Sequence, residues 1–212
     1  ARILDIGCGK EVPLAKLLHS SRMRPTEYYG VDVNKLEQPE QFKNAAWRPQ
    51  LAGKTDVCTL TKDDFNEPPN IVVCFEVLEH VQDEHLTLKN IYSCLKPGAQ
   101  IAISVPNKWW LFETHGAHLP LLSWNRVPFF SWLPSSIHSK YAKARIYTKS
   151  RINRILTDNG FNIISCQYVT APMDVVSINW LKFVLRKTIF KNHSTSIPFM
   201  ATSIIVFAEK PT

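Results

Sequence analysis

A chain of 212 residues with 45% hydrophobic side chains has material for one ordinary globular core, which excludes wholesale disorder. No apolar run reaches the ~18 residues of a membrane span. Five scattered cysteines (Cys8, Cys58, Cys74, Cys94, Cys166), with no CxxC pair, argue against a disulfide framework or zinc ribbon and for a reducing cytoplasm. The net charge of +7 is unevenly held: residues 1–105 carry 12 basic and 14 acidic side chains, residues 106–212 carry 13 and 4. Five of the six tryptophans (Trp109, Trp110, Trp124, Trp132, Trp180) also lie in the second half. The first half therefore reads as a neutral scaffold and the second as a basic, aromatic surface for an acidic or amphipathic partner. No signal peptide is read at the start, where the chain opens at Ala1 directly on a strand pattern.

Arg2–Ile6 reads as a short buried strand closed by Gly7-Cys8-Gly9. A helix is expected from about Glu11 to His19, with Pro13 in its first turn and Glu11 at the positive end of its dipole. Glu27–Val33 is the predicted second strand, with Asp32 near its end. A short helix is expected near Gln38–Ala46 and a weaker third strand over Thr55–Leu60. Ile71–Phe75, bounded by Pro68-Pro69-Asn70, is a strong fourth strand. The next helix starts at Leu78 or Asp83 and runs to Leu95, where Lys96-Pro97-Gly98 stops it. Ala99–Val105 is the fifth strand.

Strand alternating with helix predicts a parallel sheet built from βαβ units. Residues 106–146 break that rhythm. They are rich in Trp, Pro and His and too long for a plain connection, so they read as an inserted substrate or lid segment. Thr148 is a predicted N-cap for a helix ending at Asn159 with Gly160 beyond it, and Phe161–Val169 is the sixth strand. Residues 171–198 form a second insertion with a basic amphipathic helix, Trp180–Lys187. Ala201–Ala208 closes as a seventh strand.

A strand, a Gly7-x-Gly9 turn and a helix N-terminus let a ligand approach the backbone where N–H groups are exposed. A carboxylate ending the next strand, Asp32, can accept ribose hydroxyls. A dinucleotide fingerprint would need glycine at position 12, where Val12 stands. Glu76-x-x-Glu79-His80 follows the fourth strand, at the edge where α/β proteins place ligands.

Asp5-Ile6-Gly7-Cys8-Gly9, Tyr29-Gly30-Val31-Asp32-Val33, Cys74 through Val81, Leu95-Lys96-Pro97-Gly98-Ala99 and Val105-Pro106-Asn107 occur in order along the chain. Together with Arg145-Ile146-Tyr147-Thr148 and Asn159-Gly160-Phe161, they resemble class I S-adenosylmethionine-dependent methyltransferases of the ubiquinone-pathway, or type 11, group. The resemblance implies a Rossmann-like doubly wound sheet of seven strands, mixed because the last strand is antiparallel, with an aromatic-rich inserted cap. It implies one methyltransferase domain over 1–212, with a helix upstream of Ala1, and S-adenosyl-L-methionine as cofactor. Asp5, Gly7, Cys8 and Gly9 would surround the methionine part, with Cys74 beside it. Asp32 would hold the ribose and Val33 flank the adenine, which Asp56 and Val57 would contact from the next block. The sequence departs from the family at Glu11, where a third glycine is usual, and at Asn70-Ile71, where Phe-Asp is usual. Glu11 is therefore expected either to cap the helix or to face the cofactor.

The same resemblance gives Glu79 and His80 a catalytic role, with His115 of the insertion as a further base and His118 beside it. Glu76, Glu79 and His80 resemble a metal-binding ExxEH, but relatives without a metal carry the same residues, so metal ligation stays open. The implied activity is O-methylation of a small or lipid-linked acceptor, acidic or amphipathic by the charge and aromatics of the second half. The expected location is the cytoplasm, with peripheral contact at the inner face of a membrane. An RNA methyltransferase and a non-catalytic binding protein are the alternatives. An NAD(P)-dependent oxidoreductase is disfavoured by Val12 and the Glu-His block.

Overall fold

The structure, a computed structural model, describes residues 1–34, 36–42, 47, 49–52, 59–112, 128–173 and 176–212. The chain forms β1 (Arg2–Ile6), α1 (Pro13–Ser20), β2 (Glu27–Val31), β3 (Gln50–Ala52), β4 (Ile71–Phe75), α2 (Glu84–Cys94) and β5 (Gln100–Pro106). It continues through α3 (Ser135–Tyr141), α4 (Lys149–Asp158), β6 (Asn162–Thr170), α5 (Asn179–Lys187), β7 (Ser194–Thr195) and β8 (Ala201–Glu209). The strands form one sheet in the order β3-β2-β1-β4-β5-β8-β6-β7.

β1 pairs in parallel with β2 and β4, and β2 in parallel with β3. The order reverses at β1, so β1 and β4 flank the switch point where doubly wound sheets bind ligands. β8 runs antiparallel to β5: Lys210 N–H donates to Ala99 O at one end and Asn107 N–H to Thr202 O at the other. The expected mixed, Rossmann-like architecture is therefore present.

Two expectations need correction. The sheet has eight strands, because Ser194–Thr195 adds a short antiparallel edge on Tyr168–Val169. The third strand is Gln50–Ala52, in register with Tyr29–Val31; of the expected Thr55–Leu60, residues 55–58 lie outside the described residues, and Thr59 and Leu60 are not in a strand. Leu51 fixes that position. A Cβ on Gly30 would stand 2.9 Å from Leu51 Cδ2, so the missing side chain of Gly30 makes the room Leu51 occupies.

The chain divides into two compact units. The first comprises Ala1–Ile103, Asn153–Ser165 and Val206–Thr212. Part of its core gathers Ile3, Cys8, Val12, Ala15, Tyr28 and Phe42, against which Leu14, Leu18, Trp47 and Leu51 pack. Asp83 caps α2 by accepting the Leu86 N–H at 3.0 Å, so the helix starts there and not at Leu78. α4 ends in paired bonds, Phe161 N–H to Leu156 O and Gly160 N–H to Thr157 O, which satisfy its last carbonyls.

The second unit comprises Ser104–Ile152 and Cys166–Ile205, and both segments read as insertions, 106–146 and 171–198, fall within it. A small core of Trp110, Ala171 and Met173 receives Phe112, Val176, Leu185 and Phe190. Asn107 is buried, and its Nδ2 donates to Pro198 O and Ala201 O at 2.8 Å each.

Candidate active site

β1 delivers the chain into Gly7-Cys8-Gly9 with the backbone tied to the neighbouring strand. Gly7 N–H donates to Val31 O at 2.7 Å and Cys8 N–H to the same oxygen at 3.2 Å. Gly7 and Gly9 both hold positive φ, +72° and +66°, a conformation that side chains disfavour. Their surroundings differ. A Cβ on Gly7 would meet Val77 Cγ2 at 2.1 Å, whereas a Cβ on Gly9 would meet nothing within 4 Å. Gly7 is a packing glycine; Gly9 borders open space.

Asp32 follows β2 directly and is buried. Its Oδ2 accepts the Gly9 N–H at 2.9 Å, and its Oδ1 accepts the Asn34 N–H at 2.8 Å and Asn34 Nδ2 at 2.7 Å. Burial opposes its ionisation, but the Asn34 and Gly9 donors and the Lys10 charge outweigh it and hold its pKa below the ordinary carboxylate value. Val33, the next residue, is 64% exposed.

The expected contacts Asp5, Cys8 and Cys74 are buried too. Asp5 is buried and accepts a hydrogen bond from the Tyr28 hydroxyl. Burial pushes its carboxyl up to about 6, the Tyr28 bond works against this, and the Asp32 charge adds to it. Cys8 lies in the core, where burial and then the charges of Asp5 and Asp32 push its thiol up to about 12. Cys74 is fully buried, and burial likewise drives its thiol far up. Both cysteines leave only their backbone for a ligand. Glu11 does not cap the helix, and it lines a cavity with Lys10, Lys16 and Asn34. It lies ahead of α1, exposed, and pairs with Lys16, which lowers its pKa. Val12 takes the cap position with φ 46°, and its buried side chain holds that strained conformation in the core. Asp56, Val57, His115 and His118 lie outside the described residues.

β4 leads to the second set. Residues 77–80 form a turn, with His80 N–H donating to Val77 O at 2.9 Å, and not the start of a helix. Glu79 is buried and His80 about half exposed, with 3.8 Å between Glu79 Oε1 and His80 Nε2. Burial pushes Glu79 up to about 8; its own backbone N–H offsets part of this and the Glu76 charge adds to it. At neutral pH Glu79 is therefore mostly protonated beside an exposed imidazole. Among the described residues no three His, Cys, Asp or Glu side chains gather as a metal site. Phe75, at the end of β4, is 44% exposed although all five residues of its strand are apolar. Asn34 is a further residue of the site, and its signal is local: an Asp-x-Asn step after a strand is the pattern of a side chain capping its own turn.

The model of the methyltransferase domain family matches residues 1–166. The chain belongs to the methyltransferase family. The methyltransferase is 27% identical over 199 residues to the ubiquinone biosynthesis O-methyltransferase of Pseudomonas fluorescens, covering 88% of this chain and 78% of that protein. It spans about half the length of further Pseudomonas relatives with the same name. The S-adenosylmethionine-dependent methyltransferase of Mesorhizobium loti superposes with a TM-score of 0.61 at 15% identity, over 99% of this chain and 90% of that one. The 1,6-didemethyltoxoflavin-N1-methyltransferase of Burkholderia thailandensis, solved with S-adenosylhomocysteine, gives 0.59 at 16% identity, over 100% and 72%. Family and fold agree: this is a methyl-transferring enzyme with the fold of S-adenosylmethionine-dependent methyltransferases.

Proposed function

We propose that this methyltransferase uses S-adenosyl-L-methionine to methylate an oxygen of a small or lipid-linked acceptor. The observation that carries the donor is the pairing of open space at Gly9 with the Asp32 carboxylate that receives its N–H. Three of the roughly four lone-pair positions of Asp32 are filled from within the chain, so one ribose hydroxyl, not two, fits as a further donor. The exposed Val33 would flank the adenine. Gly7, Cys8, Cys74 and Asp5 contribute backbone and shape and no free polar side chain. When bound, S-adenosylmethionine supplies a methyl on a sulfonium whose departure needs no acid.

The protein must then orient the acceptor, exclude water and take one proton. His80, exposed beside the largely protonated Glu79, suits the proton; His115 is a second base by family resemblance. In the second unit, Trp109, Phe129, Trp132 and Phe199 form a chain of edge-on ring contacts at 5.1 to 5.9 Å and remain 37 to 55% exposed. Trp132 Nε1 donates to Trp109 O at 3.2 Å, which fixes the indole. Such a surface favours a flat or isoprenoid-like acceptor over a highly charged one. The relative from Pseudomonas fluorescens supports oxygen as the methylated atom. We place the protein in the cytoplasm.

Calorimetric titration with S-adenosylhomocysteine, with and without Mg²⁺, tests the donor reading, and turnover of catechol and prenylated-catechol acceptors tests the acceptor. Binding lost in Asp32→Ala, with turnover of a prenylated catechol, is the expected result. Absence of S-adenosylhomocysteine binding overturns the donor reading. Salt-dependent RNA binding with RNA methylation overturns the acceptor reading.

A further inference from the structure

Helix α5 (Asn179–Lys187) has two apolar faces. Leu185 packs into the Trp110, Ala171 and Met173 core, so one face is used by the second unit itself. At helical spacing, Trp180, Phe183 and Lys187 form a stripe on the opposite side. Trp180 is 69% and Phe183 62% exposed, and Lys187 Nζ stands 5.9 Å from the Phe183 ring centroid. Val184, on the helix, and Ile178 and Ile189, which bracket it, are also exposed. Two large aromatic rings side by side on one exposed helix face form an apolar patch of the kind that marks an interaction surface.

Charge selects the occupant. Lys182, Arg186, Lys187 and Lys191 lie on or beside the helix, and no acidic residue occurs from position 175 to 208. Arg186 Nε donates to Pro172 O at 2.6 Å, which anchors one edge of the helix to the segment before it. An exposed Trp and Phe ringed by lysines is the pattern of a helix lying in the plane of a bilayer surface, with rings in the headgroup region and amines on lipid phosphates. RNA would be met by stacking and phosphate contacts, but then Val184, Ile178 and Ile189 would have no role. We infer that α5 docks the protein on an anionic phospholipid surface through Trp180 and Phe183, with Lys182, Lys187 and Lys191 on the headgroups. Among the described residues no helix is long and apolar enough to cross a membrane, so the contact is peripheral. The inference does not rest on the methyl donor or acceptor.

The test is co-sedimentation of the full chain with vesicles of equal parts phosphatidylglycerol and phosphatidylcholine, against phosphatidylcholine alone. Binding is expected to the anionic vesicles only and to weaken with salt. Lys187→Glu should weaken it by at least about fivefold, the worth of one basic residue at an anionic surface. Trp180→Ser with Phe183→Ser should weaken it by more than about tenfold and remove the blue shift of tryptophan emission on binding. Thermal melts and S-adenosylhomocysteine titration of the same variants should be unchanged, which separates loss of docking from loss of fold or cofactor. Equal binding to neutral and anionic vesicles, no binding to either, or unaltered binding by both variants overturns the inference. So does RNA binding that the same variants abolish while vesicle binding persists.

Discussion

The Gly9 N–H donates to Asp32 Oδ2 at 2.9 Å, which ties the glycine turn after β1 to the end of β2 across 23 residues of chain. The bond has two consequences. It leaves an ionised carboxylate at the switch point of the sheet, and it holds the turn in the shape that exposes Gly9. Asp32→Ala should therefore loosen the turn and remove a charged acceptor together. Removing a hydrogen bond to a charged group costs roughly 1.5–3 kcal/mol, so S-adenosylhomocysteine affinity should fall by at least about tenfold. Because Asp32 is held below the ordinary carboxylate pKa, wild-type affinity should not vary with pH from about 5 to 8 through this group. Calorimetry across that range checks both statements.

The two glycines of the turn should separate in their effects. Gly7→Ala puts a methyl 2.1 Å from Val77 Cγ2 at a positive φ. It should cost about 2–4 kcal/mol of stability. Gly9→Ala meets no neighbour and should cost only about 1 kcal/mol, from backbone strain. Its effect should appear in ligand affinity. Melting curves and calorimetry on the two variants give the comparison, and equal affinity loss at equal stability loss would contradict it.

That distinction was not legible in the sequence, where Gly7 and Gly9 look alike. What was legible followed from local chemistry. Arg2–Ile6 and Ile71–Phe75 match β1 and β4 because apolar runs bounded by Gly or Pro have one reading. Asp83, Thr148 and Gly160 marked helix ends because caps are made by side chains and backbone near in sequence. Gln50–Ala52 was missed because three residues carry little pattern, and its packing depends on Gly30 leaving room for Leu51. Side-chain direction was equally hidden. Cys8, Cys74 and Asp5 sit in the expected blocks, and their burial is set by packing that no local pattern shows. Glu11 looked like a cap, but the helix begins two residues later, at Pro13.

Tyr28 and Asp5 make a buried pair whose loss should depend on pH. The Tyr28 hydroxyl is the one cause that lowers the Asp5 pKa against burial and Asp32. Tyr28→Phe should cost about 1–3 kcal/mol, by leaving a buried carboxyl without its donor. Asp5 has a folded pKa raised to about 6 from 3.8, so its contribution is present at low pH and falls as pH rises from about 4 through 6. Tyr28→Phe raises the folded pKa further, so the loss continues to higher pH. The difference in melting temperature between variant and wild type should be smaller at pH 5 than at pH 8.

Glu79 gives the clearest pH signature. Its pKa is raised to about 8 from 4.5, chiefly by burial. The folded state therefore holds a proton that the unfolded state has released between those values. Stability from this group is complete below about pH 4.5 and declines as pH rises through 8. Glu79→Gln keeps the shape and cannot ionise, so the gap between variant and wild type should move in the variant's favour by about 1–3 kcal/mol between pH 5 and 8, the worth of one to two pKa units. If Glu79 sets the basicity of His80, Glu79→Gln should alter the kcat/KM profile near pH 8, where wild-type Glu79 ionises, while S-adenosylhomocysteine affinity stays within about twofold. His80→Ala should lower kcat by about 10²-fold or more. An unshifted profile in Glu79→Gln would reduce Glu79 to a buried structural acid and leave proton removal to another base.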